Sequence, residues 1–222
     1  MLPKSPYILP SLLSANLMAL GDEISAIQTA GADFLHLDIM DNHYVPNLTF
    51  GPQICHAIHK QFPDLPLDVH LMISPVDPMI MAFAEAGARR ISIHPDATRH
   101  VDRSLQLIKN AGCQAGLVLN PATSVECIRW SQQHLDFVLL MTVNPGFGGQ
   151  TLIAATIPKI AQVHAQYPNL RICVDGGITL DNIGLLTAAG AKEFVAGSTI
   201  FKSNDYAEII QKLRQKGIQA NA

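Results

Sequence analysis

Apolar and polar positions along this chain follow two rhythms that take turns. Short runs alternating with a period of two read as strands at 7–11, 34–38, 67–71, 90–93, 115–119, 137–141, 172–175 and 193–196. Between and after them, helical patterns fall at 21–30, 52–61, 75–86, 98–111, 124–131, 152–166, 179–189 and 205–216. Strands that are each followed by a helix describe an α/β fold, a closed (β/α)8 TIM barrel. Even spacing, with no linker or low-complexity tract, predicts a single domain over 1–222. Ala-Gly-Ala or Ala-Gly-Cys joints at Gly31, Gly87, Gly112 and Gly190 mark where helices stop and the chain turns into the next strand. Pro52 after Gly51 suits a first helical turn, and Thr179 is a candidate cap. Ser124 lacks the acidic or amide partner of a capping box. An open doubly wound sheet is the rival architecture, but no Gly-x-Gly-x-x-Gly follows an early strand.

The informative positions are those that break the apolar pattern. Phe34, His36, Asp38 and Met40 share one strand face, as do Asp68, His70 and Met72, and a later strand ends on Asp175. In a barrel the C-terminal strand ends share one rim, so His36, Asp38, His70 and Asp175 are expected to meet there. A lone inward histidine is usually a hydrogen-bonded core residue, and a lone aspartate can anchor a loop. Four together are harder to explain that way, because burying uncompensated carboxylates costs several kcal/mol. Two imidazoles and two carboxylates suit one divalent ion such as Zn2+, Fe2+, Mn2+ or Co2+, whereas Ca2+ wants more oxygen. Met40, Met72 and Met141 sit at strand ends in phase with these residues. They read either as rim packing or as a dry, polarizable lining around a reacting carbon. Glycine loops follow the last three strands: Gly146-Phe147-Gly148-Gly149, Gly176-Gly177 and Gly197-Ser198. Backbone N–H groups converging there suit a phosphate; no lysine lies within these loops.

Composition narrows the partners. The chain has 222 residues, enough for one well-buried core, and a net charge of −3 with no long segment of one sign, which argues against nucleic acid. Cys55, Cys113, Cys127 and Cys173 are dispersed without a Cys-x-x-Cys pair, as expected of buried thiols in a reducing compartment. Residues 1–10 lack the apolar core of a signal peptide, and no segment approaches the length of a membrane span. The expectation is a cytoplasmic protein without a membrane partner.

Taken in order, the strand-end segments resemble the ribulose-phosphate 3-epimerase family over essentially the whole chain. They are Pro10-Ser11-Leu12-Leu13-Ser14-Ala15, His36-Leu37-Asp38-Ile39-Met40-Asp41 with Val45-Pro46-Asn47, and Asp68-Val69-His70-Leu71-Met72. They continue with Gly116 to Thr123, Val143 to Gln150, Val174-Asp175-Gly176-Gly177-Ile178 and Ala196-Gly197-Ser198. The resemblance implies a ribulose-phosphate-binding barrel with one divalent metal per subunit on His36, Asp38, His70 and Asp175. It makes Asp38 and Asp175 the acid–base pair, and lines the substrate site with Ser11, His70, Asp175 and the three methionines. It assigns the phosphate to Gly146, Phe147, Gly148, Gly149, Gly177, Gly197 and Ser198. The implied reaction interconverts D-ribulose 5-phosphate and D-xylulose 5-phosphate at C3 through a 2,3-enediolate, within pentose phosphate carbohydrate metabolism. The implied partners are a small pentulose phosphate and other copies of the chain, as dimer or hexamer. Asn16, Asn42 and Tyr44 depart from the residues usual in the family (Asp, Gly and Phe); asparagine tolerates positive φ, so the turn at Asn42 is expected to survive. An allulose 6-phosphate epimerase would share this chemistry. Related decarboxylases have Asp-x-Lys-x-x-Asp, where this chain has Asp38-Ile39-Met40-Asp41 and hence no ammonium to protonate a carbanion. A catalytically dead sugar-phosphate-binding barrel would be expected to have lost a ligand or one of the two aspartates; all are present.

Overall fold

A computed structural model describes residues 6–220. Residues 1–5 of the segment expected to lack a signal peptide, and 221–222 at the end of the expected domain, lie outside the described residues. The eight strands are β1 (Tyr7–Pro10), β2 (Leu35–Met40), β3 (Leu67–Met72), β4 (Ala88–Ile93), β5 (Gln114–Leu119), β6 (Phe137–Met141), β7 (Arg171–Asp175) and β8 (Glu193–Ala196). All pair in parallel in the order β1-β8-β7-β6-β5-β4-β3-β2, the arrangement of a (β/α)8 barrel. The seam between β1 and β2 is closed by a parallel bridge from Ser11 to His36. Asp33 reinforces it: its N–H donates to the Ile8 carbonyl at 3.1 Å and its carboxylate accepts from the Ile8 N–H at 2.8 Å.

The helices are α1 (Leu20–Thr29), α2 (Pro52–Gln61), α3 (Asp77–Glu85), α4 (Val101–Asn110), α5 (Ile157–Gln166), α6 (Ile183–Ala188), α7 (Ser198–Phe201) and α8 (Tyr206–Gln219). Gly51 precedes α2 with Pro52 in its first turn, as the sequence predicts. Gly31, Gly87, Gly112 and Gly190 all have positive φ, the left-handed stop expected of the four joints. Thr179 lies a turn before α6: its hydroxyl accepts from the Asp181 N–H at 3.3 Å, and its carbonyl from the Ile183 N–H at 3.1 Å.

One expected helix is absent. Residues 124–131 form a 3-10 turn, Val125–Ile128, and a second turn follows at Gln132–His134. Ser131 bends the segment by donating back to the Cys127 carbonyl at 3.2 Å, competing with the helical ladder. The strand-then-helix plan therefore lapses after β5. The stretch after β8, read as the glycine loop Gly197-Ser198, runs into the short helix α7 ahead of α8.

Apolar residues sort into layers. Outward strand residues such as Leu35, Val69, Ile91 and Leu117 are buried under the helices. Inside the barrel, Leu9, Val118, Phe137, Leu139, Cys173 and Val195 fill the space below the mouth. Gly116 is required there, since a Cβ on it would lie 2.3 Å from the Phe137 ring. Among the described residues, no helix is long and apolar enough to cross a membrane.

Candidate active site at the barrel mouth

The inward phase of β2 carries His36, Asp38 and Met40, and β3 runs beside it with Asp68, His70 and Met72 in register. β7 ends on Asp175, separated from β2 by β8 and β1. These strand ends bring His36 Nε2, His70 Nδ1 and one carboxylate oxygen each of Asp38 and Asp175 together, all within 4.8 Å of one another. Asp38 Oδ1 lies 3.3 Å from each of the two nitrogens; Asp175 Oδ2 lies 3.8 and 3.9 Å from them.

This donor set fits a divalent cation. His36 Nε2 and His70 Nδ1 are buried polar atoms without a hydrogen-bond partner. Bonds of about 2.0–2.2 Å to a four-coordinate ion place neighbouring donors about 3.4 Å apart, close to the shorter separations here. Each donor is also held from behind. Ser11 donates to Asp38 Oδ2 at 2.6 Å, leaving Oδ1 to face the histidines. His36 Nδ1 lies 2.6 Å from Asp68 Oδ2, and His70 Nε2 lies 2.9 Å from His94 Nε2.

The electrostatics separate the two catalytic candidates. Burial alone would raise Asp38, but the His36 charge, with contacts from both histidines, holds it well below the ordinary carboxylate range. Asp175 is pushed above that range by burial and then by the Asp38 charge beside it. Burial works against a charged His36, yet the neighbouring Asp38 and Asp68 raise it well above the usual imidazole value; His70 is lowered, chiefly by burial.

The cluster lies at the floor of a cavity of about 510 Å3. Ser11, Asp38 and Asp175 line it, and Met40, Met72 and Met141 form its apolar wall. Gly146, Phe147, Gly148 and Gly149 border it from the loop after β6, opposite Gly177 from the loop after β7. Gly197 and Ser198, where α7 begins, complete that side. The residues expected to touch substrate or phosphate border one space, with one exception: His70, expected to line the substrate site, lies fully buried beneath it with His36 and faces the donor cluster instead. Phe147 is 56 % exposed, standing at the lip.

The three unusual positions have structural accounts. Asn42 adopts φ 58°, the conformation for which asparagine is suited. Asn16 accepts from the Met18 N–H at 3.1 Å, capping a single turn. The Tyr44 hydroxyl donates to Asp96 at 2.8 Å and accepts from Asn120 at 2.9 Å, and its ring lies against His94.

Sequence reasoning missed a layer beneath the site. Arg90, Asp68 and Glu193 are fully or almost fully buried, and Ser92 and His94 continue the inward face of Arg90. The signal was present in the alternation of Arg90, Ser92 and His94, and in Asp68 sharing a face with His70.

A family model described as the ribulose-phosphate 3 epimerase family matches residues 7–201. The chain is 48% identical over 217 residues to ribulose-phosphate 3-epimerase of Escherichia coli strain K12, covering 96% of each chain. It is 50% identical over 207 residues to ribulose-phosphate 3-epimerase of Serratia marcescens, covering 91% of this chain and 99% of that one. Among solved structures, 3-hexulose-6-phosphate synthase from Salmonella typhimurium superposes with TM-score 0.74 at 17% identity, covering 96% of this chain and 99% of that one, a likeness of fold. With the family model matching residues 7–201 and relatives of 48–50% identity along nearly the full length, the chain belongs to the ribulose-phosphate 3 epimerase family.

Proposed function

We propose that this chain is a metal-dependent isomerase that inverts C3 of D-ribulose 5-phosphate to give D-xylulose 5-phosphate, and the reverse. One observation carries the reading. Two carboxylates, Asp38 and Asp175, converge from different strands on one four-donor cluster beneath a glycine-bordered cavity.

His36, Asp38, His70 and Asp175 would hold one divalent cation per subunit, of the Zn2+, Fe2+, Mn2+ or Co2+ class. When bound, such an ion supplies Lewis acidity that lowers the cost of negative charge on the substrate's oxygens. The protein's own residues do the proton work. Inversion needs a proton removed from one face of C3 and returned to the other, so a single base would tend to restore the starting epimer. Asp38, ionised and held by Ser11, acts as base on one face; Asp175 returns a proton from the other to the planar 2,3-enediolate. The reverse reaction exchanges their roles. Met40, Met72 and Met141 exclude water from the carbanionic carbon. The loops bearing Gly146, Gly148, Gly149, Gly177, Gly197 and Ser198 hold the phosphate and so fix C3 between the carboxylates.

This reading belongs to cytoplasmic sugar-phosphate metabolism, with the chain assembling as a homodimer or homohexamer. Its test is solvent exchange. In D2O the metal-loaded enzyme is expected to wash deuterium into C3 of D-ribulose 5-phosphate as xylulose 5-phosphate appears, followed by proton NMR. Product formed with the C3 hydrogen retained would overturn the two-base route. Faster exchange on allulose 6-phosphate would reassign the substrate.

A further inference from the structure

The two histidines of the four-donor cluster present different ring nitrogens: His36 faces it with Nε2 and His70 with Nδ1. A half-turn of either ring exchanges the two nitrogens with ring carbons, so something must choose the orientation. The choice for His36 is built into the barrel below it. Asp68 Oδ2 lies 2.6 Å from His36 Nδ1, and Asp68 is itself gripped through both oxygens by Arg90. Arg90 donates from Nε to Oδ1 at 2.7 Å and from Nη2 to Oδ2 at 3.1 Å. The guanidinium cannot swing away. Its Nη1 donates to Glu193 at 2.5 Å, and the Phe34 and Phe137 rings lie 4.3 and 4.4 Å from its central carbon. Arg171 approaches the second oxygen of Glu193 at 3.2 Å.

We infer that Asp68, clamped by Arg90, is a positioning residue that commits His36 to bind the cation through Nε2, while His94 commits His70 to Nδ1. The inference rests on the cation reading above. It goes beyond that reading by saying which residues orient the ligands and that the two are supported differently.

An ion cluster serving only the fold would have no need to reach a ligand. Buried ion pairs are weak sources of stability, because desolvation offsets most of their attraction. Here Asp68 divides its second oxygen between the guanidinium and the His36 ring, so the clamp ends on a donor of the site. With Nδ1–H donating to Asp68, Nε2 is left with its lone pair free, which is what a ligand needs. His70 has a neutral counterpart. The His94 ring is buried, lies tilted against Tyr44 at 4.7 Å between centroids, and places Nε2 2.9 Å from His70 Nε2; a proton on His70 Nε2 donated to His94 leaves Nδ1 free for the cation. One ligand is thus backed by an anion and made the more electron-rich donor; the other is backed by an imidazole.

Two measurements test this. In Zn2+-loaded native protein, long-range proton–nitrogen NMR should place the ring proton of His36 on Nδ1 and that of His70 on Nε2. Either proton on the opposite nitrogen would overturn the assignment, without need of a variant. Separately, Asp68→Asn should weaken Co2+ binding about 10–100-fold, as loss of such partners does elsewhere. It should also shift the Co2+ visible absorption band, a change that loss of fold stability alone would not produce. A folded Asp68→Asn protein that binds Co2+ within twofold of the parent, with an unaltered spectrum, would sink the positioning role. Failure of the parent itself to bind Co2+ or Zn2+ would overturn the cation reading and this inference with it.

Discussion

Asp38 and Asp175 are the same side chain placed in two electrostatic surroundings. Both lose solvation, which favours the neutral acid; only Asp38 has the histidines close enough to reverse the balance, and its charge then penalises Asp175. Replacing Asp175 with asparagine is expected to lower turnover by about 10^3-fold or more, the scale of a lost acid–base group. Far-UV circular dichroism should remain native, since Asp175 sits at a strand end and bears no structural ion pair within hydrogen-bond distance. Near-normal turnover in the metal-replete variant would remove Asp175 from the proton transfers. At this scale the site's donors were readable because alternation puts His36, Asp38 and His70 on one face of their strands. Their supports were not. Alternation tells which side Arg90 or Asp68 faces, yet says nothing about which partner waits there.

At the scale of elements, the proposed function requires the loops after β6, β7 and β8 to close around a phosphate without side-chain cations. That demands close backbone approach, and Gly177 shows how close. It adopts φ +68°, and a Cβ there would lie 2.5 Å from the Leu152 nitrogen and 3.0 Å from the Gln150 carbonyl oxygen. The turn after β7 is thus packed on the backbone of the loop after β6. Gly177→Ala combines a strained dihedral, about 1–3 kcal/mol, with displacement of that loop. Its expected signature is a KM for ribulose 5-phosphate raised about tenfold, the equivalent of 1.4 kcal/mol, with kcat changed much less. Steady-state kinetics decide this; an unchanged KM would detach the loop contact from phosphate binding. Glycine clusters are legible in a sequence, since few other residues adopt such φ values. The missing helix at 124–131 was not legible, because its apolar spacing fits a helix, whereas the segment closes i→i+3 bonds such as Arg129 N–H to the Glu126 carbonyl, with Ser131 bonding back to the Cys127 carbonyl. The short α7 was also beyond reach, being a few residues long and without its own periodicity.

At the scale of the whole molecule, the barrel mouth gathers four donors for which a cation and protons would compete. Without a cation, His36 and Asp175 both hold protons above their ordinary pKa values, so both must release them before four donors can bind. Protons therefore compete with the metal, and metal affinity should rise as pH increases through neutrality. Co2+ at 100 times its dissociation constant stabilises the folded state by about 2.7 kcal/mol, which for a chain of this size raises Tm by about 5–10 °C. That gain, read by differential scanning fluorimetry at fixed Co2+, should be largest near pH 8 and shrink toward pH 6. Stripping the protein with a chelator should abolish both the gain and epimerisation, and added Co2+ or Mn2+ should restore them. A gain that grows on acidification would contradict the proton competition.

The order of the chain by itself determined the architecture, because eight period-two runs alternating with period-3.6 runs have few ways to bury both faces of every strand. It also determined which residues point inward, and so which could meet at the rim. Tertiary structure alone decided the distances: that His36 Nε2 and His70 Nδ1 lie 3.3 Å from one Asp38 oxygen, that Ser11 turns that carboxylate, and that Arg90 and Asp68 brace the ring below. The physical reason is range. Periodicity is a property of neighbours along the chain, whereas donor geometry and proton affinity are set by groups that only strand closure brings within a few ångströms.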